Sequence, residues 1–128
     1  MKQHATRFLN LVEKAKNHIK EISPQQLKEK LNRRKSIILI DVRDEREWNS
    51  GGHIPGAIHL SKGVIERDIE KRVQDPETEM VVYCSGGFRC ALVAESLQKM
   101  GYQNVYSLES GLTGWIDAGY SLEAGTND

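Results

Sequence analysis

Cys84 opens the run Cys84-Ser85-Gly86-Gly87-Phe88-Arg89-Cys90, set between the apolar stretch Met80-Val81-Val82-Tyr83 and the helical pattern Ala91 to Met100. A thiol at a strand's tip, wrapped by a short glycine loop that feeds a helix, lies where backbone N–H groups and the positive end of a helix converge. Both features stabilise a thiolate and an anion beside it. The residue types and their spacing therefore suit a nucleophilic cysteine. Gly86 and Gly87 are expected to take positive φ and curl the chain so that successive amides point at the Cys84 sulfur, where larger residues would obstruct the curl. Arg89 adds a planar fork suited to an oxyanion, with an ordinary ion pair to a nearby carboxylate as the plainer reading. For Cys84 the plainer reading is a small buried residue at a strand end. A glycine loop, an arginine and a helix start coinciding at one place favour the nucleophile.

The elements that must hold this loop follow from periodicity. Phe8, Leu9, Leu11, Val12, Ala15 and Ile19 recur at helical spacing over residues 5 to 20, an amphipathic helix laid on the domain's own core or used for docking. Ser23-Pro24 reads as an N-cap and first helical residue, with Leu27 and Leu31 four apart behind it. Ile37-Ile38-Leu39-Ile40, ending at Asp41, reads as a strand covered on both faces. Asp44 to Trp48 suits a single helical turn, and Gly51 to Gly56 a loop before a short strand from Ala57 to Leu60. Gly63 to Val73 reads as a helix, Met80 to Tyr83 as a buried strand, Cys90 to Met100 as a helix closed by Gly101, and Asn104 to Leu108 as a last strand. Strands alternating with helices imply a mostly parallel sheet with helices on both faces. Ligands in such folds bind beyond the carboxyl ends of strands, where Cys84 falls. Residues 121–128 read as a frayed tail.

The chain has 128 residues, enough for one domain, and its 18 Lys+Arg balance 18 Asp+Glu. Zero net charge gives no reason to expect a nucleic-acid partner, and no apolar run suits a membrane span or signal peptide, so a cytoplasmic protein is expected. Two cysteines close together argue against a disulfide scaffold, and the spacing of His4, His18, His53 and His59 argues against a metal site.

These residues resemble the rhodanese family of single-domain sulfurtransferases. The resemblance is carried by Asp41-Val42-Arg43-Asp44-Glu45-Arg46-Glu47-Trp48, Gly52-His53-Ile54-Pro55-Gly56-Ala57, Tyr83-Cys84-Ser85-Gly86-Gly87-Phe88-Arg89, and Leu108-Glu109-Ser110-Gly111 followed by Gly114-Trp115. The segments stand in the family's order. The resemblance implies a rhodanese-like α/β domain over residues 20–120, with a five-stranded, mostly parallel sheet, preceded by a helical extension at 1–19 and followed by a tail at 121–128. It also implies a thiosulfate sulfurtransferase type of enzyme in which Cys84 becomes a persulfide. Ser85, Gly86, Gly87, Phe88 and Arg89 would cradle a small anionic donor, and Arg89 would hold the sulfonate oxygens of thiosulfate. A thiol or cyanide, the thiol free or on a protein, would accept the sulfur. The chemistry requires no metal and no organic cofactor. Either a monomer or a homodimer is compatible with the sequence.

The family commonly carries serine or threonine where Cys90 stands. Cys90 is then either a small first-turn residue whose S–H substitutes weakly for the hydroxyl, or a resolving thiol that closes a disulfide with Cys84. Asp41, Arg43, Glu47 and His53 read as scaffold around the loop, and Trp115 as a core or lid aromatic. The competing functions are a persulfide relay or redox module for a dedicated protein partner, a binding module, and a phosphatase. Phosphatases of this fold resemble a Cys-x5-Arg loop, one residue longer than the loop from Cys84 to Arg89, which counts against phosphate chemistry.

Overall fold

The β-branched runs read from the sequence pair side by side in the computed structural model, which describes residues 4–33 and 36–124. The elements are α1 (Thr6–Lys16), β1 (Lys20–Ile22), α2 (Pro24–Asn32), β2 (Ile37–Asp41), α3 (Glu45–Ser50), β3 (Ile58–His59), α4 (Ile65–Arg72), β4 (Glu79–Tyr83), α5 (Arg89–Lys99), β5 (Val105–Leu108) and α6 (Gly111–Asp117). The strands form one parallel sheet in the order β1-β5-β4-β2-β3. β4 is central, and Met80, Val81, Val82 and Tyr83 are all fully buried. That burial on both faces explains a continuous apolar run in place of an alternating one.

Alternation along β4 separates two cores. Met80, Val82 and Cys84 face α4 and α5 with Ile65, Ile69, Val93 and Leu97. Val81 and Tyr83 face the other way, against Leu27, Leu108, Leu112 and Trp115. Each such aliphatic side chain contributes about 1.5–3 kcal/mol by leaving water. The register pairs Tyr83 with Asp41, so the chain beyond β4 emerges beside the turn that follows β2.

That turn is held by a buried ion pair. The Arg43 guanidinium donates to both Asp41 carboxylate oxygens at 2.8–3.1 Å and to the Gly52 carbonyl at 3.0 Å. Asp41 and Arg43 thus act as scaffold at the sheet's end. Two capping boxes start the helices on either side: Ser23 with Gln26 for α2, and Asp44 with Glu47 for α3. The second one fixes Glu47 at the rim of the β4 loop.

Among the elements themselves, the structure departs from the sequence reading at several places. The first helix stops at Lys16 instead of reaching residue 20, because Lys20–Ile22 pairs with Tyr106–Leu108 as an edge strand. Within α1 only Val12 and Ala15 are buried, while Leu9 and Leu11 are exposed, so the apolar stripe is narrower than its spacing suggested. α6 forms over Gly111–Asp117, to which the sequence reading assigned no element; its early amides are satisfied by tertiary partners, Leu112 N–H by the Cys84 carbonyl at 2.8 Å and Thr113 N–H by the Ser85 carbonyl at 3.0 Å. The tail is not frayed through Ala124. Glu123 and His53 exchange two backbone hydrogen bonds at 2.9 Å, and the indole N–H of Trp115, a core residue, donates to the Ser121 carbonyl at 2.9 Å. Residues 125–128 lie outside the described residues.

Candidate active site

β4 ends at Tyr83, α5 begins at Arg89, and the loop between them wraps the Cys84 sulfur. Gly87 makes the reversal. Its φ is +94°, and a Cβ there would stand 2.2 Å from the Glu109 carbonyl oxygen, so only glycine allows this approach. Gly111 closes the other side at φ +61°, where a Cβ would meet the Cys84 and Ser85 carbonyl oxygens at 2.6 Å. Gly86 corrects the sequence reading: it is not in the left-handed region, and a Cβ on it would meet only the Phe88 ring at an ordinary 3.6 Å. One reversal suffices to turn the amides inward.

The Cys84 sulfur accepts hydrogen bonds from the Gly87 N–H at 3.2 Å and the Cys90 N–H at 3.4 Å, and the Cys90 thiol lies 3.5 Å from it. The Cys90 thiol, these amides and the Arg89 charge together draw the Cys84 thiol down to about 6, against the opposing effect of burial. Cys84 is therefore largely ionised at neutral pH. Cys90, fully buried, is pushed well up by burial and by the Cys84 sulfur beside it, and stays protonated. Among the described residues the N–H groups of Gly86, Phe88 and Arg89 find no protein acceptor.

Arg89 lies at the rim with its fork turned onto Glu47, through bonds of 2.7 and 3.1 Å, and a further bond of 3.2 Å to the Ser85 hydroxyl. The Ser85 hydroxyl in turn donates to Glu47 at 2.9 Å. Arg89, Ser85 and the α3 cap together hold the Glu47 carboxyl down to about 2. The ion pair that competed with the oxyanion reading is thus present, and it locks the loop to α3.

Cys84, Ser85, Gly86, Phe88 and Arg89 line an open cavity of about 1180 Å³. α1 and the residues just before it supply the wall that the sequence did not reveal: His4 packs edge-on against Phe88 with ring centres 4.7 Å apart, Phe8 stands 6.4 Å from the same ring, and the Lys16 ammonium lies 5.6 Å over it. The sequence reading also missed Ser107, whose buried hydroxyl donates to the Cys90 sulfur at 3.1 Å. No local pattern marks a serine in a strand for that task.

Comparison with known proteins shows the family. The chain is 37% identical over 97 residues to the putative sulfurtransferase YtwF of Bacillus subtilis, covering 76% of this chain and 90% of that protein. It is also 37% identical over 98 residues to the tRNA uridine(34) hydroxylase of Protochlamydia amoebophila, covering 71% of this chain but only 30% of that longer protein. Among solved structures, a Rhodopseudomonas palustris protein of unknown function, described as a possible tyrosine phosphatase, superposes with a TM-score of 0.85 at 30% identity, covering 96% and 99% of the two chains. The polysulfide-sulfur transferase homodimer of Wolinella succinogenes superposes with a TM-score of 0.78 at 30% identity, covering 94% and 90%. Residues 23–118, which span the sheet from α2 onward and the whole Cys84 loop, match the model of the rhodanese-like domain, and the chain belongs to that family of sulfurtransferases and related enzymes.

Proposed function

We propose that the protein is a sulfurtransferase that takes sulfane sulfur from a small anionic donor, thiosulfate or a polysulfide, carries it as a Cys84 persulfide and passes it to a thiol or cyanide. The observation that carries this reading is a Cys84 sulfur that accepts hydrogen bonds from two amides beside an open cavity. The thiolate's electron pair forms a bond to the donor's outer sulfur, the donor's S–S bond breaks, and sulfite leaves with that pair when thiosulfate is the donor. The charge then sits on the new outer sulfur, and the unoccupied N–H groups of Gly86, Phe88 and Arg89 are the donors available to it. An acceptor thiolate attacks that sulfur and Cys84 departs as a thiolate. A low pKa serves both halves, since it supplies the nucleophile first and a good leaving group afterwards.

Arg89 contributes less to donor binding than its sequence position suggests, because Glu47 neutralises it. Its remaining effect is to favour the Cys84 anion at a distance and to keep the loop shaped. The cavity, at about 1180 Å³, is far larger than a thiosulfate ion requires. That space favours an acceptor thiol carried on a larger molecule, so a relay to a partner protein is the second reading. Phosphatase chemistry is disfavoured, because an arginine already forked onto a carboxylate is not free to clasp a phosphate. Two free thiols side by side suit the reducing cytoplasm.

The test is turnover with thiosulfate and excess cyanide. Thiocyanate and sulfite are expected in equal amounts, and the Cys84→Ser variant should form neither. A wild-type protein that produces no thiocyanate from either thiosulfate or polysulfide would refute the reading.

A further inference from the structure

Cys90 is a second thiol placed behind the first. Cys84, 1% exposed, is among the residues that line the open cavity, while Cys90, fully buried, is not, so Cys90 stands deeper in the fold than Cys84. The two sulfurs stand 3.5 Å apart, and the buried Ser107 hydroxyl donates to the Cys90 sulfur at 3.1 Å. Sulfur transfer by way of the cavity uses neither Cys90's nucleophilicity nor that hydroxyl.

We propose that Cys90 is a resolving thiol, giving the protein a second activity in which the sulfane sulfur on Cys84 is discharged as hydrosulfide. The step rests on the Cys84 persulfide proposed above. The Cys90 proton passes to the outer sulfur, the Cys90 electron pair forms a bond to the Cys84 sulfur, and the bond from Cys84 to the outer sulfur breaks with its pair leaving on hydrosulfide. The sulfane sulfur is reduced to sulfide and the two cysteines are oxidised to a disulfide, so no external oxidant enters. An external dithiol restores both thiols by exchange. The placement suits a displacement in which Cys90 attacks from the buried side and the released sulfur departs by way of the cavity that Cys84 lines. A disulfide bond is about 2.05 Å long, so the sulfurs must close by about 1.5 Å, and Cys90 lies in the first turn of α5, where a helix gives most easily. Ser107 is the positioning residue, since its hydroxyl stabilises the Cys90 thiolate as it forms.

The experiment loads wild type and Cys90→Ser with inorganic polysulfide, removes the reagent, and follows intact mass and released hydrosulfide. The wild type should lose the added sulfur, release one hydrosulfide per chain and yield a peptide linking Cys84 to Cys90. Cys90→Ser should keep its persulfide at least about tenfold longer. Ser107→Ala should slow discharge relative to loading. A wild-type persulfide as durable as that of Cys90→Ser, with no linked peptide, would overturn the proposal. If neither form gains sulfur, the transfer reading fails, and a hydroperoxide arm still decides the role of Cys90. There the Cys84 thiolate becomes a sulfenic acid that Cys90 attacks with loss of water. A linked peptide supports the resolving role, and a Cys84 oxidised further to sulfinic acid with no link overturns it.

Discussion

Replacing Cys90 by alanine should raise the Cys84 pKa by about one unit. The substitution removes the S–H donor 3.5 Å from the Cys84 sulfur, the strongest of the influences that draw that thiol down to about 6, and leaves the amides of Gly87 and Cys90 in place. A hydrogen bond to a charged acceptor contributes about 1.5–3 kcal/mol, and a thiol is a weak donor, so the low end applies. At about 1.4 kcal/mol per unit, the Cys84 midpoint moves to about 7. At pH 6 the wild type is then about half ionised and the variant about one-tenth, so the variant should alkylate roughly fivefold more slowly there and almost equally fast at about pH 8. Cys90→Ser, which keeps a donor, should titrate close to wild type. The assay is the rate of iodoacetamide adduct formation, read by intact mass across the pH range. An alanine variant with the wild-type midpoint would refute the reasoning and leave the amides and Arg89 as sole holders of the thiolate.

The same shift couples folding to pH. The folded-state pKa of Cys84 is depressed to about 6, whereas an unfolded thiol titrates near about 8.5. The unfolded chain therefore binds more protons between those values, and stability rises with pH through that window. The contribution is fully present above about pH 8.5 and lost as pH falls through about 6, with an amplitude of order 3 kcal/mol. Urea titrations of wild type should show this slope, and Cys84→Ser should lack it.

Gly87→Ala forces a side chain into φ +94° and against the Glu109 carbonyl, so Tm should fall by about 10 °C and the Cys84 midpoint should return toward an ordinary thiol. An unchanged melting curve would contradict the reversal described for this loop. Asp41→Asn strands an Arg43 side chain that is only 6% exposed and should cost about 3 kcal/mol or more in urea denaturation. A loss below about 1 kcal/mol would show that the pair is not the clamp of the sheet's end. Glu47→Gln removes the counter-charge of Arg89 while leaving an amide able to cap α3, and the thiosulfate KM should fall by about threefold at low salt and less at high salt. A higher KM would mean that Glu47 positions Arg89 for the donor.

The strand end, the reversal and the helix start around Cys84 were readable from the chain because they are local. Cys84 follows an apolar run that can only be a central strand, Gly87 sits where the chain must reverse, and Arg89 starts a helix, all within six residues. The N-cap at Ser23 and the strand from Ile37 to Asp41 were likewise written in short-range patterns. β1 was hidden because Lys20-Glu21-Ile22 has no strand periodicity of its own and becomes extended only by pairing with β5. α6 was hidden because its glycines argue against a helix until the Cys84 and Ser85 carbonyls accept its early amides.

The order of residue types along the chain was therefore enough to place Cys84 in a glycine loop at a strand's end and to outline a parallel α/β framework around it, since hydrophobic period, caps and turns act over a few residues. Tertiary structure alone decided which charges and thiols meet. It turned the Arg89 fork onto Glu47, 42 residues away, brought Ser107 within hydrogen-bond reach of Cys90 across 17 residues, and folded α1 against Phe88 as a wall of the cavity. Those contacts arise from strand register and helix packing, which bring together groups that no local pattern connects.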